Sequence, residues 1–198
     1  MKTFLFVAAL LLFWGCTTLK PTVAEYGMNI QDDTSKSVAK GCKDKSLKVA
    51  QAFSQSALFS LQMRYTETSG KVFAYSQSQW QESPNSFISA ELFQNIRDFE
   101  LFGSVHPLGS RVKTDMILET NVEEFMQFFA QDMNSSYVQV AISFTLLDAK
   151  TSGVIATKTV RSKVETKTAD SAGGAEAFAK ALKEVMADTR VWLEERCR

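Results

Sequence analysis

Three thiols and one imidazole are the side chains in this 198-residue sequence with the widest chemical reach. The thiols are Cys16, Cys42 and Cys197; the imidazole is His106. A thiol can be acylated, oxidised to a disulfide or bound to a metal, and its surroundings select among these. A metal site is a poor reading, because His106 has no ligand-like neighbours. His106 stands beside Pro107 in what reads as a surface turn between strands. No nucleophile or orienting carboxylate can be assigned to it, so it is not read as a general base. Serines are plentiful, but no G-x-S-x-G elbow is present. Gly173-Gly174 lies near a helix start without the rest of a phosphate loop, and reads as a flexible loop before the helix. The adjacent acids Asp32-Asp33 and Glu123-Glu124 read as solvated surface. The chain is therefore expected not to be an enzyme and to need no cofactor or metal.

Cys16 has the most informative surroundings. Lys2 supplies a positive start, Phe4 to Trp14 is an unbroken apolar run, and Gly15 is a small residue directly before the cysteine. Residues 1–15 read as a secretory signal peptide, too short to be a stable transmembrane helix. The segment Leu12-Phe13-Trp14-Gly15-Cys16 resembles a bacterial lipobox, although Phe13 and Trp14 are bulkier than usual there. In such sequences the cysteine is diacylated, the chain is cut before it and the new amino group is often acylated too. Several acyl chains on one residue give stable anchoring. The alternative is an ordinary signal peptide cut elsewhere, with Cys16 incidental.

Removing residues 1–15 takes away Lys2 alone among the charged side chains, leaving 21 basic against 22 acidic residues. That balance gives no reason to expect nucleic acid, and no polybasic patch or second membrane-length apolar run follows. With Cys16 assigned to lipid, Cys42 and Cys197 remain as an even pair in a compartment that permits disulfides. A bridge between them would tie both ends of the folded domain together, and two free thiols at frayed ends are the alternative. Residues 16–45 are polar and read as a lipidated tether holding the folded body off the membrane, with a short segment that could dock on the domain.

Residues 46–198 read as one domain. Leu47, Val49, Gln51 and Phe53 alternate with Lys48, Ala50 and Ala52 as a first strand. Phe59 to Thr66 and Lys71 to Gln79 form a hairpin around Thr68-Ser69-Gly70. Ser83-Pro84 opens a helix with Phe87, Ile88, Leu92, Ile96 and Phe99 on one face. Leu101 to Val105 is a short strand. Strands from Val112 to Glu119, Val138 to Leu146 and Val154 to Val164 follow as an antiparallel meander. A C-terminal helix, capped by Asp170 or Ser171, carries Phe178, Leu182, Val185, Met186 and Trp192 at helical spacing, with Arg190 on its polar face. The order βββαββββα predicts an α+β two-layer sandwich, a mostly antiparallel sheet with two helices packed on one face. One joining stretch, Glu123 to Asn134, is apolar where a hairpin tip should be polar. Phe125, Met126, Phe128 and Phe129 are candidates there for contact with a partner or lipid. The competing reading extends both strands and puts Phe125 and Phe129 in the core.

The run Arg64-Tyr65, Val72-Phe73-Ala74-Tyr75, Gln79-Trp80-Gln81-Glu82-Ser83-Pro84 and Leu92-Phe93-Gln94-Asn95-Ile96 resembles the ABC-type transport auxiliary lipoprotein component family. Those proteins share a tyrosine-bearing hairpin, a Trp shortly before a Pro, and a helix after it. The later strands and the C-terminal helix agree in order, so the resemblance covers roughly Leu47 to Trp192 plus the lipobox. Val23-Ala24-Glu25-Tyr26 loosely matches a Tyr-containing stretch soon after the lipid cysteine, whereas the Cys42/Cys197 pair is not a family expectation. The resemblance implies an accessory subunit of an Mce-type (Mla- or Pqi-like) ABC system for phospholipid trafficking. Its expected partners are an Mce-domain protein, an ABC permease complex and the membrane through its N-terminal lipid. It implies placement on the periplasmic side of the envelope, with the outer membrane favoured because Thr17 is not the Asp of inner-membrane retention. Trp80 reads as a core residue. The rival reading is a periplasmic carrier or chaperone that holds an acyl chain between sheet and helix.

Overall fold

The computed structural model describes residues 22–30, 36–37 and 41–197. The elements in order are β1 (Ala24–Tyr26), β2 (Ser46–Val49), β3 (Phe53–Ser54), a 3-10 turn (Ser56–Phe59), β4 (Gln62–Thr66), β5 (Val72–Trp80), α1 (Pro84–Asp98), β6 (Ser104–Pro107), β7 (Met116–Phe129), β8 (Ser136–Asp148), β9 (Val154–Glu165) and α2 (Ser171–Arg196). The expected α+β sandwich holds: one sheet carries both helices on one face, over a single core. The long ladders, β7–β8 and β8–β9, are antiparallel, as is the β4–β5 hairpin; the short strands pair in parallel.

The β7–β8–β9 meander is the base of the sheet. Val138, Val140, Ile142, Phe144 and Leu146 alternate along β8 onto the helix face, and each is at most 1% exposed. Strict alternation over a half-buried strand determines both register and face. Helix α2 lies on this surface with Phe178, Ala181, Leu182, Val185 and Leu193 buried. Arg190, read as part of the polar face, is buried as well, its guanidinium 5.2 Å from the centre of the Phe99 ring. Helix α1 begins as expected, with the Ser83 hydroxyl accepting from the Ser86 N–H and Pro84 at the first position.

Strand β7 is longer than its sequence reading. It starts at Met116 rather than Val112 and continues to Phe129, so most of the Glu123–Asn134 stretch is strand and only residues 130–135 turn. A bulge at Glu123 breaks the register against β8. Before it, Leu118, Thr120 and Val122 face the core; after it, Phe125, Gln127 and Phe129 do. One extra residue changes the phase of a period-two pattern, so even positions point inward on one side of the bulge and odd positions on the other.

The second edge of β7 is divided among three short parallel strands. β2 pairs Met116 to Leu118, β3 pairs Asn121 and Val122, and β4 pairs Gln127 and Phe128. The expected continuous strand from Leu47 to Phe53 is thereby split. Its alternation breaks at Gln51, Ala52 turns inward, and Phe53 is 73% exposed. Phe59 and Leu61, expected within the first strand of the hairpin, lie in the 3-10 turn and just after it, and both are exposed.

The N-terminal part of the chain packs on the domain well before residue 46. β1 runs parallel to β5, pairing Ala24 to Tyr26 with Ser78 to Trp80, and Met28 is buried. Further on, the Ser37 N–H donates to the Phe99 carbonyl at 2.8 Å and its hydroxyl to Glu194 Oε1 at 2.5 Å. Cys42 and Cys197 form a buried disulfide, with Cα atoms 5.2 Å apart across a separation of 155 residues. The bridge joins the approach to β2 to the C-terminal cap of α2. Replacing both cysteines by serine is expected to lower unfolding free energy by on the order of 4 kcal/mol, since closing so long a loop restricts the unfolded chain. Denaturant melts of oxidised, reduced and doubly substituted protein check this, the last two being expected to agree.

Candidate functional site

The site is built around the aromatic stretch of β7. Phe125 and Phe129 are 7% and 6% exposed and sit on the helix face, while Met126 and Phe128 are half-buried on the opposite face. Of the four candidate contact residues, the structure therefore leaves two on the outer surface. The Phe125 ring stacks on Phe178 of α2 at 4.1 Å between centroids, and Trp80 meets both rings edge-on at 6.1 and 5.6 Å. Such offset and edge-to-face pairs add to the burial itself. Trp80 is 2% exposed, the core residue its position suggested. On the outer face Phe128 stacks on Tyr137 at 5.0 Å, and the Lys163 ammonium lies 3.8 Å from the Tyr137 ring centre. A cation over an aromatic face is held by the ring quadrupole.

Between β3 and β4, residues 123–126 of β7 have no strand on their second edge, and the segment through the 3-10 turn arches past them. A cavity of about 470 Å3 opens there. Its walls come from both faces of the sheet. Val72, Met126 and Phe128 line it on the outer side, and Leu58, Trp80, Phe125 and Phe178 reach it from the core side. Its rim carries Arg64, Arg161, Glu123 and Glu124. Arg161 Nη2 lies 3.5 Å from Glu123 Oε2, and the Gln139 amide donates to Glu124 Oε2 at 2.5 Å. Arg64 is half-buried on β4 and makes no hydrogen bond or ion pair among the described residues. Sequence reading missed this cavity. Its signal was the amphipathic mismatch of residues 125–129, but the missing strand beside them is a matter of topology.

The adjacent end of the sheet is held by Gln127, a fully buried amide on β7. Its Nε2 donates to Ser136 Oγ at 2.9 Å and to the Asp170 carbonyl at 3.1 Å, and its Oε1 accepts from the Tyr75 hydroxyl at 3.1 Å. Burial pushes the Tyr75 phenol well above its ordinary range, and neighbouring Tyr65 adds to the shift. Tyr75 thus stays a protonated donor to Gln127. Gly173 and Gly174, read as a flexible loop, lie in the first turn of α2, and the reason is space. A Cβ on Gly173 would come within 2.1 Å of the Thr168 carbonyl oxygen, and one on Gly174 within 2.3 Å of Gln127 Oε1. Asp170 caps the helix by accepting from the Gly173 N–H at 2.8 Å, which holds its carboxyl below the usual range.

The remaining sequence candidates are dispersed. His106 lies in strand β6 opposite Lys48 rather than in a turn, 3.1 Å from Ser104 Oγ. Among the described residues, no three side chains capable of holding a metal come together. No helix among them is long and apolar enough to cross a membrane. Cys16 and the signal segment lie outside the described residues.

No protein-family model matches the sequence, and the comparison with curated proteins finds no match. Solved structures are similar in fold. A Xanthomonas campestris protein of the DUF330 family superposes with a TM-score of 0.78 at 18% identity, over 88% of this chain and 96% of that one. An uncharacterised protein superposes with a TM-score of 0.65 at 12% identity, over 87% of this chain and 99% of that one. At such identities the likeness establishes a shared fold.

Phe125→Ala is expected to cost about 3–5 kcal/mol, because it empties a packed aromatic site, and Phe128→Ala less, about 1–2 kcal/mol, because its ring lies on the outer face and is partly exposed. Chemical denaturation of the two variants measures the contrast. Asp170→Ala is expected to cost about 1 kcal/mol at neutral pH through the lost cap. The folded-state pKa of Asp170 is depressed, so its contribution is present above the unfolded value of about 4 and is lost as pH falls through the folded value. Parent and variant should therefore converge in stability as pH falls from the unfolded value through the depressed folded one, as followed by thermal melts at successively lower pH.

Proposed function

We propose that this chain is a lipid-anchored envelope protein, acylated at Cys16, that serves an Mce-type ABC lipid-transport system through protein contacts on the periplasmic side. The observation that carries the reading is the sequence order. An apolar signal ending in Gly15-Cys16 precedes a domain whose hairpin, Trp-to-Pro segment and helix resemble the auxiliary lipoprotein family. The fold shared with the Xanthomonas campestris protein is consistent with it. So is the packing of the N-terminal segment. Eight residues separate Cys16 from Ala24 of β1, and an extended chain of that length reaches at most about 28 Å. An anchor at Cys16 therefore holds the β1–β5 edge close to the bilayer, instead of letting the domain stand off on the 30-residue tether read from sequence. The outer membrane is the favoured location, and an Mce-domain protein and its permease are the proposed partners.

A second reading, a lipid carrier, is favoured by one observation, the cavity at β7. It differs from the arrangement expected from sequence, because the space lies at a break in the sheet and the sheet–helix interface is filled by packed side chains. Mass spectrometry of protein purified from envelope membranes separates the readings. Intact mass of the parent should show the acyl additions, and Cys16→Ser should lack them and leave the membrane fraction. A parent that runs unmodified would refute the anchored reading. Co-purification of an Mce-domain protein without extractable lipid supports the scaffold, whereas stoichiometric extracted lipid supports the carrier.

A further inference from the structure

The cavity at the divided edge of β7 is unusual for its place. Protein interiors are close-packed, and the centre of a sheet is where voids are least expected. Here the void spans the sheet, from Met126 and Phe128 on the outer side to Leu58 and the Trp80, Phe125 and Phe178 rings on the core side. The cavity opens to solvent on one side, its walls are mixed, with Gln55, Gln62 and Thr66 beside the apolar side chains, and about 470 Å3 falls within the range of small-molecule sites, which combine apolar walls with a few polar groups.

The rim adds a charge requirement. Glu123 is engaged by Arg161 and Glu124 by Gln139, but the Arg64 guanidinium has no partner among the described residues. A half-buried guanidinium without an acceptor is poised for an anion, and its planar donors match a carboxylate or phosphate oxygen pair.

We propose that this cavity binds a single acyl chain bearing an anionic head group, carboxylate or phosphate, with the head on Arg64 and the tail passing Met126 and Phe128 toward the Phe125–Trp80–Phe178 cluster. The proposal rests on the carrier reading and gives it a site. The ligand is an amphiphile of one tail, such as a fatty acid or a lysophospholipid. Its supply is close at hand if the anchor is at Cys16, since Val72 and Trp80 of the cavity wall belong to β5, the strand that β1 pairs with.

The test is photo-crosslinking on the full processed chain in isolated envelope membranes. One arm uses a diazirine-bearing palmitate and the other a diazirine-bearing lysophosphatidylglycerol. Labelled peptides are mapped by mass spectrometry. The expected result is label within residues 55–72 and 122–128. Ala57→Trp, which fills the cavity from its wall, should abolish it. Arg64→Gln should reduce it roughly tenfold, the usual scale for losing a charge-assisted hydrogen bond, and Arg64→Lys should restore most of it. Stronger labelling by palmitate assigns a carboxylate head, stronger labelling by the lysophospholipid a phosphate head, and equal labelling a site that reads negative charge alone. Thermal unfolding verifies that each variant folds, and the Arg64 pair carries the test should Ala57→Trp not fold. Labelling unchanged by these substitutions, or placed elsewhere, overturns the site. If lipid still co-extracts with the protein while label falls between β8 and α2, this site is wrong and the carrier reading stands; if neither lipid nor label is found, both fail.

Discussion

The sheet depends on how β7 satisfies its backbone. A strand whose helix face is buried must pair its N–H and C=O groups along both edges. β8 covers one edge over nearly its whole length. The other edge is shared by β2, β3 and β4 in succession, all parallel to β7. Three short strands cannot tile a fourteen-residue edge without a break, and the break falls at residues 123–126. The bulge at Glu123 sits at this same place, where the local twist of β7 increases and its inward phase changes. The aromatic triad of Trp80, Phe125 and Phe178 closes the core side of the break.

Around this centre the rest of the fold is tied at three points. The Gln127 network joins β7 to β5, to β8 and to the start of α2, and it requires glycine at 174 because the amide oxygen occupies the space of a Cβ. The disulfide joins the approach to β2 to the end of α2. β1 adds to the free edge of β5, so the N-terminal segment is part of the sheet. In this arrangement β1 lies on the β5 side of the break, the same side as Val72 and Arg64.

Local patterns were legible wherever a single period governed a whole element. The β8 alternation, the apolar face of α2, the Ser83-Pro84 start of α1 and the Asp170 cap each follow from residues close in sequence. The pairing of Cys42 with Cys197 was legible through a count, once Cys16 was set aside. Readings went astray where two elements competed for the same stretch. Leu47 to Phe53 looks like one strand, yet it supplies two because its partner edge is shared. Phe125 to Phe129 looks apolar on both faces because a bulge, invisible in composition, resets the alternation just before it. Gly173-Gly174 looks flexible, but Gly174 is required by the side chain of Gln127, on a strand forty-seven positions earlier, and Gly173 by the nearby Thr168 carbonyl.

The sequence by itself determined the order of the main elements, the α+β class and the Ser83-Pro84 start of α1. These rest on periodicity and on short-range chemistry, which a chain carries along its length. Only the tertiary structure decided which strands share the edge of β7, that Phe125 turns inward while Phe128 stays outside, and that a void with Arg64 at its rim, unpaired among the described residues, lies between β3 and β4. Those features arise from parallel pairings between segments some sixty to seventy residues apart, and no local pattern encodes the register at which they meet.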